Sequence, residues 1–480
     1  MEPATDPVER RPAELGLWDA VSVIVGIVVG VSIFKAPPTV FSNVGTVWQG
    51  LVVWALGGVV ALVGALCYAE LASAYPGSGA DYIYLTRAFG PLVGFLFAWT
   101  RLAVILTGNI AALSYVFADY AVGLFAGDAR QAVWFACAAV VALTIFNVLG
   151  LKTGKSLQNV LSVAKVLGLG SLLVTGLVKG GAAAAAGAGV ASGAGAGWSD
   201  RLPVTGPGFG LAMVLVLYAY GGWNDAVFVA ADVREPRRNM PRALILGTLL
   251  IAVLYVLVNA AFVSALGFAG LRASSTPAAD VLGLWLGSRG VAGMSLLVMV
   301  SALGAVSGLI LAGSRLHATV GADYRIFSWM GTWNRQLNAP VHSLLAQAGV
   351  SLLLIVGVGT EAGRGAIDRG VTAVGLPALP WKEYSGGFDT LVAGTSPLFW
   401  FFFLLTGVSV LVLRRRDPDR PRPFATPLYP LVPLIFIGVS GYMLYASVAY
   451  ARALSLMGLV PLVLGVPLFL VRGARAEGRG

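Results

Sequence analysis

Charged residues are scarce in this chain of 480 residues. They make up 11% of it, whereas soluble globular proteins carry about 25%. Hydrophobic residues make up 58%. A water-soluble fold cannot bury that much apolar surface, so this class of protein is excluded.

Cysteine and histidine are also scarce, with two residues each. Cys67 and Cys137 lie within apolar stretches, so a disulfide framework is excluded and both are expected to be small core residues. His317 and His342 form no H-E-x-x-H pair, and the apolar stretches contain no clustered acidic pair. An enzyme is therefore disfavoured, and no cofactor or metal is expected.

The sequence has long apolar runs instead, such as residues 50–67, 135–151 and 245–262. At about 1.5 Å per residue, helices of this length cross a hydrocarbon layer of roughly 30 Å. The runs are apolar on every face, which favours helices over the strands of a barrel. We predict an all-α integral membrane protein with twelve spans, at 18–43, 48–73, 90–120, 130–150, 156–178, 206–232, 241–268, 290–318, 340–359, 389–413, 426–449 and 453–471.

Most of the 32 Lys and Arg residues fall on the same side of these spans as the amino terminus. This bias predicts a multi-pass protein of the cell membrane with both termini in the cytoplasm. The basic clusters at 237–238 and 414–416 are interpreted as lipid-headgroup contacts, and no nucleic-acid partner is expected. No outer-loop cysteine indicates a partner subunit.

Two predicted spans are interrupted by small residues. The first contains Gly26, Gly30 and Ser32, and the sixth contains the pair Gly221–Gly222. Interrupted helices at matching positions of two halves indicate an inverted-repeat transporter with its site near the middle of the bilayer. The alternative is that the Gly26-x-x-x-Gly30 spacing only allows close helix packing.

Five motifs in order resemble the amino acid-polyamine-organocation superfamily, most closely its L-type and related bacterial amino acid transporters. They are GIVVGVSIF (26–34), CYAELASAYPGSGADYIYLTRAFG (67–90), YAYGGWNDAVFVAADVREPRRNMPRAL (218–244), SGLILAGSRLH (307–317) and LRRRDPDRPRPFATPLYPLVP (413–433). The resemblance implies a leucine-transporter-type fold of two inverted five-helix repeats followed by two helices. It also implies substrates with an α-amino and an α-carboxyl group.

On this basis the chain divides into five segments. They are an amino-terminal tail (1–17), a first repeat (18–178), a low-complexity outer loop (179–205), a second repeat (206–413) with an outer loop at 360–388, and two last helices with the carboxyl-terminal tail (414–480). The loop at 360–388 is interpreted as a lid or as a spacer.

The two breaks supply the candidate binding groups, because exposed N–H groups of a half-helix hold a carboxylate and unpaired carbonyls hold an ammonium. The substrate-binding candidates are Gly26, Val29, Gly30, Val31, Ser32, Tyr218, Ala219, Tyr220, Gly221, Trp223 and Asn224. The resemblance implies that Tyr218 closes over the substrate from outside. Ser32 and Val31 replace smaller residues of the usual motif. The alternative for the sixth-helix aromatic residues is helix packing.

Charged residues within apolar spans are functional candidates because they are costly there. The resemblance implies that Lys165 replaces the sodium ion of related carriers, with proton transport as a further role. On the eighth span, Leu309 stands where relatives usually have a hydroxyl residue. The resemblance therefore leaves Ser307 as the nearest hydroxyl partner of Lys165. Arg101 either has a functional role, extends to the membrane surface or pairs with a helix-end carbonyl. Asp225 either favours cationic substrates or pairs with nearby backbone or with Lys35.

These observations predict a sodium-independent amino acid permease that works by alternating access, with proton coupling or exchange. An amino-acid-sensing receptor and a permease for polyamines or other organic amines are the alternatives. Glu70 and the charged residues that follow the sixth span form either an inner gate or topology anchors.

We expect Lys165→Ala to abolish or uncouple transport while the protein still folds, because the cation that joins two helices is lost. Uptake by purified variant in liposomes measures this. Normal pH-dependent uptake would contradict the assigned role.

Overall fold

The computed structural model is helical throughout the part of the chain that it describes, apart from turns and two isolated β-bridges. The described residues are 16–76, 79–125, 127–149, 167–178, 201–205, 208–224, 227, 233–274, 276–334, 336–337, 339–373, 375, 377–379, 381 and 386–471. Lys165 and Asp225 lie outside them.

Eight helical segments are long and apolar enough to cross a membrane. They are α4 (Val47–Ala74), α6 with α7 (Pro91–Leu124), α11 (Pro236–Ala273), α12 (Pro277–Asp323), α13 (Val341–Gly359), α15 (Gly387–Arg416), α16 (Leu431–Ala451) and α17 (Leu456–Val471) with the turn before it. These helices have large apolar side chains on their outer surfaces; Leu353 and Leu470 are each 73% exposed. Such a surface suits lipid.

Four shorter apolar helices occupy the positions of the remaining predicted spans. They are α1 (Leu17–Val28), α8 (Ala132–Val148), α9 (Leu167–Val178) and α10 (Phe209–Tyr220). Each is shorter than the roughly 20 residues that usually span the hydrocarbon layer. The count of twelve spans and the inverted repeat therefore stay predictions.

The remaining helices connect or extend these segments. They are α2 (Ser32–Lys35), α3 (Pro37–Ser42), α5 (Asp81–Phe89), α14 (Glu361–Ala373) and the short turns Ala129–Gln131, Arg325–Phe327 and Arg452–Ser455. The helix α14 lies within residues 360–388, which the sequence analysis treats as a loop. Asp368 in this helix accepts hydrogen bonds from the indole Nε1 of Trp381 and the backbone N–H of Leu379. Leu379 packs against Ala393 and Leu454, so this segment is fixed to the ends of neighbouring helices.

Eight of the helices pack in two groups, and α15 packs against α7 and α16. One group contains α1, α4, α10 and α11, and the other contains α7, α8, α12 and α13. Between α6 (Pro91–Thr100) and α7 (Leu106–Leu124), residues Arg101–Ile105 form a π-helical turn. Such turns are rare and occur frequently at functional sites.

The end of α4 is joined to the end of α15 and to the segment after it by a buried ion cluster. Glu70 is 2% exposed. Its two carboxylate oxygens accept from Nε and Nη2 of Arg414 at 2.7 and 2.6 Å, and the backbone N–H of Thr426 donates to it at 2.8 Å. Arg422 Nε lies 3.6 Å from the same carboxylate. Glu70 is thus a structural anchor between α4 and residues 414–426 in this conformation.

We expect Glu70→Ala to destabilise the fold by about 3 kcal/mol, because it leaves the Arg414 guanidinium and a buried N–H without their acceptor. Thermal unfolding in detergent measures this as a lowered Tm. Glu235→Gln is the matched control, since Glu235 and Arg238 form an exposed pair at 3.9 Å, and such pairs contribute about 0–1 kcal/mol. Equal shifts in Tm for the two variants would contradict the anchoring role.

Candidate functional site

The helical path from α1 to α3 is broken once, at the residues that the sequence analysis singles out. The first helix ends at Val28, and Val29 has a non-helical ψ of 72°. The backbone resumes helical geometry at Ser32 and keeps it through Ala36 to Ser42. The break interrupts the i to i−4 hydrogen bonds of the helix, and the N–H of Gly30 donates instead to the carbonyl of Val28 at 2.6 Å.

The second break follows α10. Gly221 is extended, with φ −61° and ψ 156°, and its N–H donates to the carbonyl of Tyr218 at 3.0 Å. Gly222 has a φ of +108°. Residues with side chains rarely adopt that angle, so the turn requires glycine at this position.

A cavity that is partly open to solvent lies between the two breaks. Its walls come from both breaks and from α7, α12 and α15. They comprise Val28, Gly30, Ser32, Ile105, Asn109, Leu113, Tyr218, Ala219, Gly221, Gly222, Ala305, Leu309, Thr395, Ser396, Phe399 and Trp400.

Five of the eleven substrate-binding candidates line this cavity. They are Gly30, Ser32, Tyr218, Ala219 and Gly221. The hydroxyl of Tyr218 lies 3.5 Å from Oδ1 of Asn109, and its ring packs edge-on against Phe388. This aromatic side chain therefore stands at the cavity wall and contacts the beginning of α15.

The other candidates lie behind or beside that wall. Gly26, Val29 and Val31 are buried outside the lining. Tyr220 donates its hydroxyl to the carbonyl of Trp54 at 3.0 Å, and Trp223 packs against Tyr68 with ring centroids 4.9 Å apart. These two aromatic side chains pack helices together here, which is the alternative that the sequence analysis keeps open. Asn224 lines a second, smaller cavity.

The sequence analysis did not predict the contributions of α7 and α15. Asn109, Thr395 and Ser396 bring polar groups to the cavity, and Phe399 and Trp400 bring aromatic rings. One sequence signal was available on α15: Pro397 interrupts the predicted span directly beside Thr395 and Ser396. For Asn109, the signal in the sequence is a polar side-chain amide within a run of apolar residues.

Tyr255 of α11 joins the two breaks and was also missed. It is completely buried. Its hydroxyl lies 2.8 Å from the carbonyl oxygen of Val28 and 3.2 Å from that of Ala219. The hydroxyl has one hydrogen, so it donates to one of these carbonyls at a time, and it bridges the ends of α1 and α10.

The lining is uncharged among the residues that the structure describes. Lys35, which follows the first break, forms an ion pair with Asp119 at 3.5 Å instead of reaching the cavity. Arg101 is 4% exposed and lines the second cavity, so it does not extend to the surface. The described binding groups are therefore backbone amides and carbonyls, hydroxyls and one side-chain amide.

Of the two predicted coupling residues, only Ser307 is described. Its hydroxyl accepts from Nδ2 of Asn147 at 3.3 Å, and it lies outside the cavity lining. Leu309 lines the cavity directly. The environment of Ser307 thus includes α8, a neighbour that the sequence analysis did not anticipate.

The family model for amino acid permeases matches residues 15–467. The chain belongs to the amino acid permease family. The permease is 28% identical over 443 residues to the b(0,+)-type amino acid transporter 1 of Mus musculus, covering 91% of this chain and 82% of the relative. It is 27% identical over 455 residues to the Homo sapiens protein of the same name, covering 93% and 84%.

The permease is also similar to the large neutral amino acids transporter small subunit 2 of Mus musculus, with 27% identity over 469 residues, 95% of this chain and 80% of the relative. These matches confirm the predicted superfamily and place the chain among transporters rather than enzymes. The expectation that no partner subunit is indicated loses its support, because one relative is named as a small subunit. A cysteine pattern does not report non-covalent subunit contacts.

We expect Gly222→Ala to lower the affinity of the permease for amino acids about tenfold. A side chain at this φ costs about 1–3 kcal/mol, and a tenfold change in affinity corresponds to about 1.4 kcal/mol. The backbone would relieve the strain by changing the turn that forms the cavity wall. Thermal-shift titration with amino acids measures the affinity.

The matched control is Gly308→Ala on α12, where an added Cβ meets open space. It is expected to keep the affinity of the unmodified permease. Similar affinities for the two variants would show that the turn at Gly222 does not define the site.

Proposed function

We propose that the permease carries α-amino acids with uncharged side chains across the membrane by alternating access. The observation that supports this most strongly is the cavity enclosed by the two helix breaks, with polar backbone at one wall and aromatic and aliphatic side chains at the others. An amino acid has the same division between a charged main chain and a variable side chain.

The main-chain groups of the substrate are bound without fixed charges. The N–H group of Gly30 donates to the carbonyl of Val28 at 2.6 Å. The first turn therefore offers the backbone N–H and the hydroxyl of Ser32 to the carboxylate, and the carbonyls beside Ala219 accept from the ammonium. Such neutral partners replace hydration and still allow release, whereas full ion pairs would hold the substrate too tightly for rapid transport.

The side-chain pocket is formed by Ile105, Leu113, Leu309, Phe399 and Trp400. Apolar and aromatic walls favour neutral side chains, because a buried charge without a partner is costly. A polyamine carrier needs carboxylates where its amines bind, and the described lining contributes none.

The proposed architecture is twelve spans with both termini in the cytoplasm, two inverted five-helix repeats and two further helices. It is supported by the way that α1 and α10, five predicted spans apart, both break at one cavity. Lys165 is proposed to take the place of a sodium ion, which makes transport independent of sodium. The cycle then runs by exchange or by proton coupling.

The purified permease in sodium-free liposomes should take up radiolabelled leucine in a saturable way. Other neutral amino acids should compete, whereas lysine, glutamate and amines without a carboxylate should compete at least tenfold less well. If amino acid inside the vesicles accelerates leucine uptake, the permease works by exchange. If an inward proton gradient accelerates leucine uptake, transport is coupled to protons.

Trp400→Ala removes part of the side-chain pocket and should raise the KM for leucine several-fold. The control is Trp134→Ala, which should leave the KM unchanged because the side chain of Trp134 is 66% exposed on the outer surface.

Strict dependence of leucine uptake on sodium would refute the proposed coupling. Binding without any flux would indicate a sensor of the same fold instead of a carrier.

A further inference from the structure

His317 lies on α12, about two helical turns beyond Leu309 at the wall of the main cavity. Its side chain is 1% exposed. Within the part of the chain that the structure describes, neither Nδ1 nor Nε2 of this ring has a hydrogen-bond partner. A neutral imidazole has one N–H donor and one acceptor nitrogen, so two polar atoms are buried here at a cost in free energy. Buried polar groups without partners are rare in folded proteins and require an explanation.

The position of His317 follows from two other contacts of this helix. One turn earlier, Gly313 packs so closely against Leu106, the first residue of α7, that an added Cβ would clash with that side chain. Just after α12 ends, Tyr324 donates to the carbonyl of Pro91, the first residue of α6, at 2.9 Å. His317 therefore lies level with the π-helical turn between α6 and α7. The charge distribution predicts that the membrane face at which α6 begins is cytoplasmic.

Arg101, in this π-helical turn, is the charged residue whose field acts on the ring of His317. It is 4% exposed, so both groups are buried. The helix α6 has no ionisable residue, and those of α7 are in its second half, away from this end. The other ionisable groups at this end of α12 and on the segments packed there are Tyr82, Arg315, Asp323, Tyr324, Arg325 and His342. None of them is hydrogen-bonded to the ring in the described part of the chain.

This environment is unsuited to a charged imidazole. Protonation of His317 would bury a second positive charge near Arg101, and no described carboxylate is bonded to the ring. Buried charges without such partners are strongly unfavourable. The ring is therefore neutral while the helices are packed in this way.

We infer that His317 is a proton-binding residue of the transport cycle, neutral in the conformation described here and protonated when the permease opens towards the cytoplasmic face. This inference rests on the proposed function. Opening towards that face separates α12 from the π-helical turn and brings water to both ring nitrogens. Hydration stabilises the charged form, and the ring then takes up a proton.

The consequence is that acid favours the state that faces the cytoplasm. A ligand that binds one of two states shifts the equilibrium towards that state, and a proton on His317 is such a ligand. The apparent affinity for a substrate rises with the population of the state that binds it. The KM for amino acids should therefore fall at the cytoplasmic face and rise at the opposite face as the pH is lowered.

The test is leucine exchange in liposomes with a uniform protein orientation and the same pH on both sides, so that no proton gradient contributes. The KM is measured at each face at about pH 8 and about pH 5.5, a range that includes the ordinary pKa of histidine, about 6.5. In the unmodified permease, the KM at the cytoplasmic face should fall about threefold or more at the lower pH, and the other KM should rise. His317→Gln is neutral throughout this range and should transport leucine with KM values that hardly depend on pH.

The matched control is His342→Gln, because His342 is the only other histidine in the chain and is exposed. It should keep the pH response of the unmodified permease. His317→Phe is the second variant, which retains a ring of similar shape if the amide is not tolerated, and it should also lose the response. A response that survives in the His317 variants, or KM values of the unmodified permease that do not change with pH, would overturn the inference. An unmodified permease that carries no amino acid would instead refute the proposed function.

Discussion

The whole arrangement depends on one constraint: inside a membrane, every backbone N–H and C=O needs a partner from the protein. A broken helix exposes several of these groups at once, so it is tolerated only where other residues or a cavity receive them. In this permease the hydroxyl of Tyr255 lies within hydrogen-bond distance of the carbonyls of Val28 and Ala219, and the N–H groups of Gly30 and Gly221 donate to nearby carbonyls. The breaks that would destabilise an isolated helix are thus partnered beside the cavity that we propose as the binding site.

The distribution of charge follows from the same physics. The polar groups at the described walls of the main cavity are backbone groups, hydroxyls and the amide of Asn109. Charged side chains lie away from those walls, as in the Lys35–Asp119 pair and in the cluster around Glu70. The Glu70 cluster holds α4 against the end of α15 and the segment after it. In the proposed function, substrate binding and helix anchoring are therefore carried out by different groups, and a neutral site releases its ligand more readily than a buried ion pair would.

Much of the architecture could be predicted because its signals are local. The length of an apolar run shows directly whether it can span a bilayer, and the glycine pair at 221–222 marks the break where α10 ends. The roles of individual aromatic residues were less predictable. Tyr218, Tyr220 and Trp223 are neighbours in sequence, yet only Tyr218 lines the main cavity, because successive residues around a helix end point in different directions.

By itself, the sequence determined that the chain is helical, lies in the membrane and is interrupted at two places, since composition, run length and glycine position act over a few residues. Only the tertiary structure decided which distant side chains complete the site. Asn109, Tyr255 and Thr395 come from three different helices. Their meeting depends on how those helices pack, a property of contacts between segments far apart in the chain that no local pattern encodes.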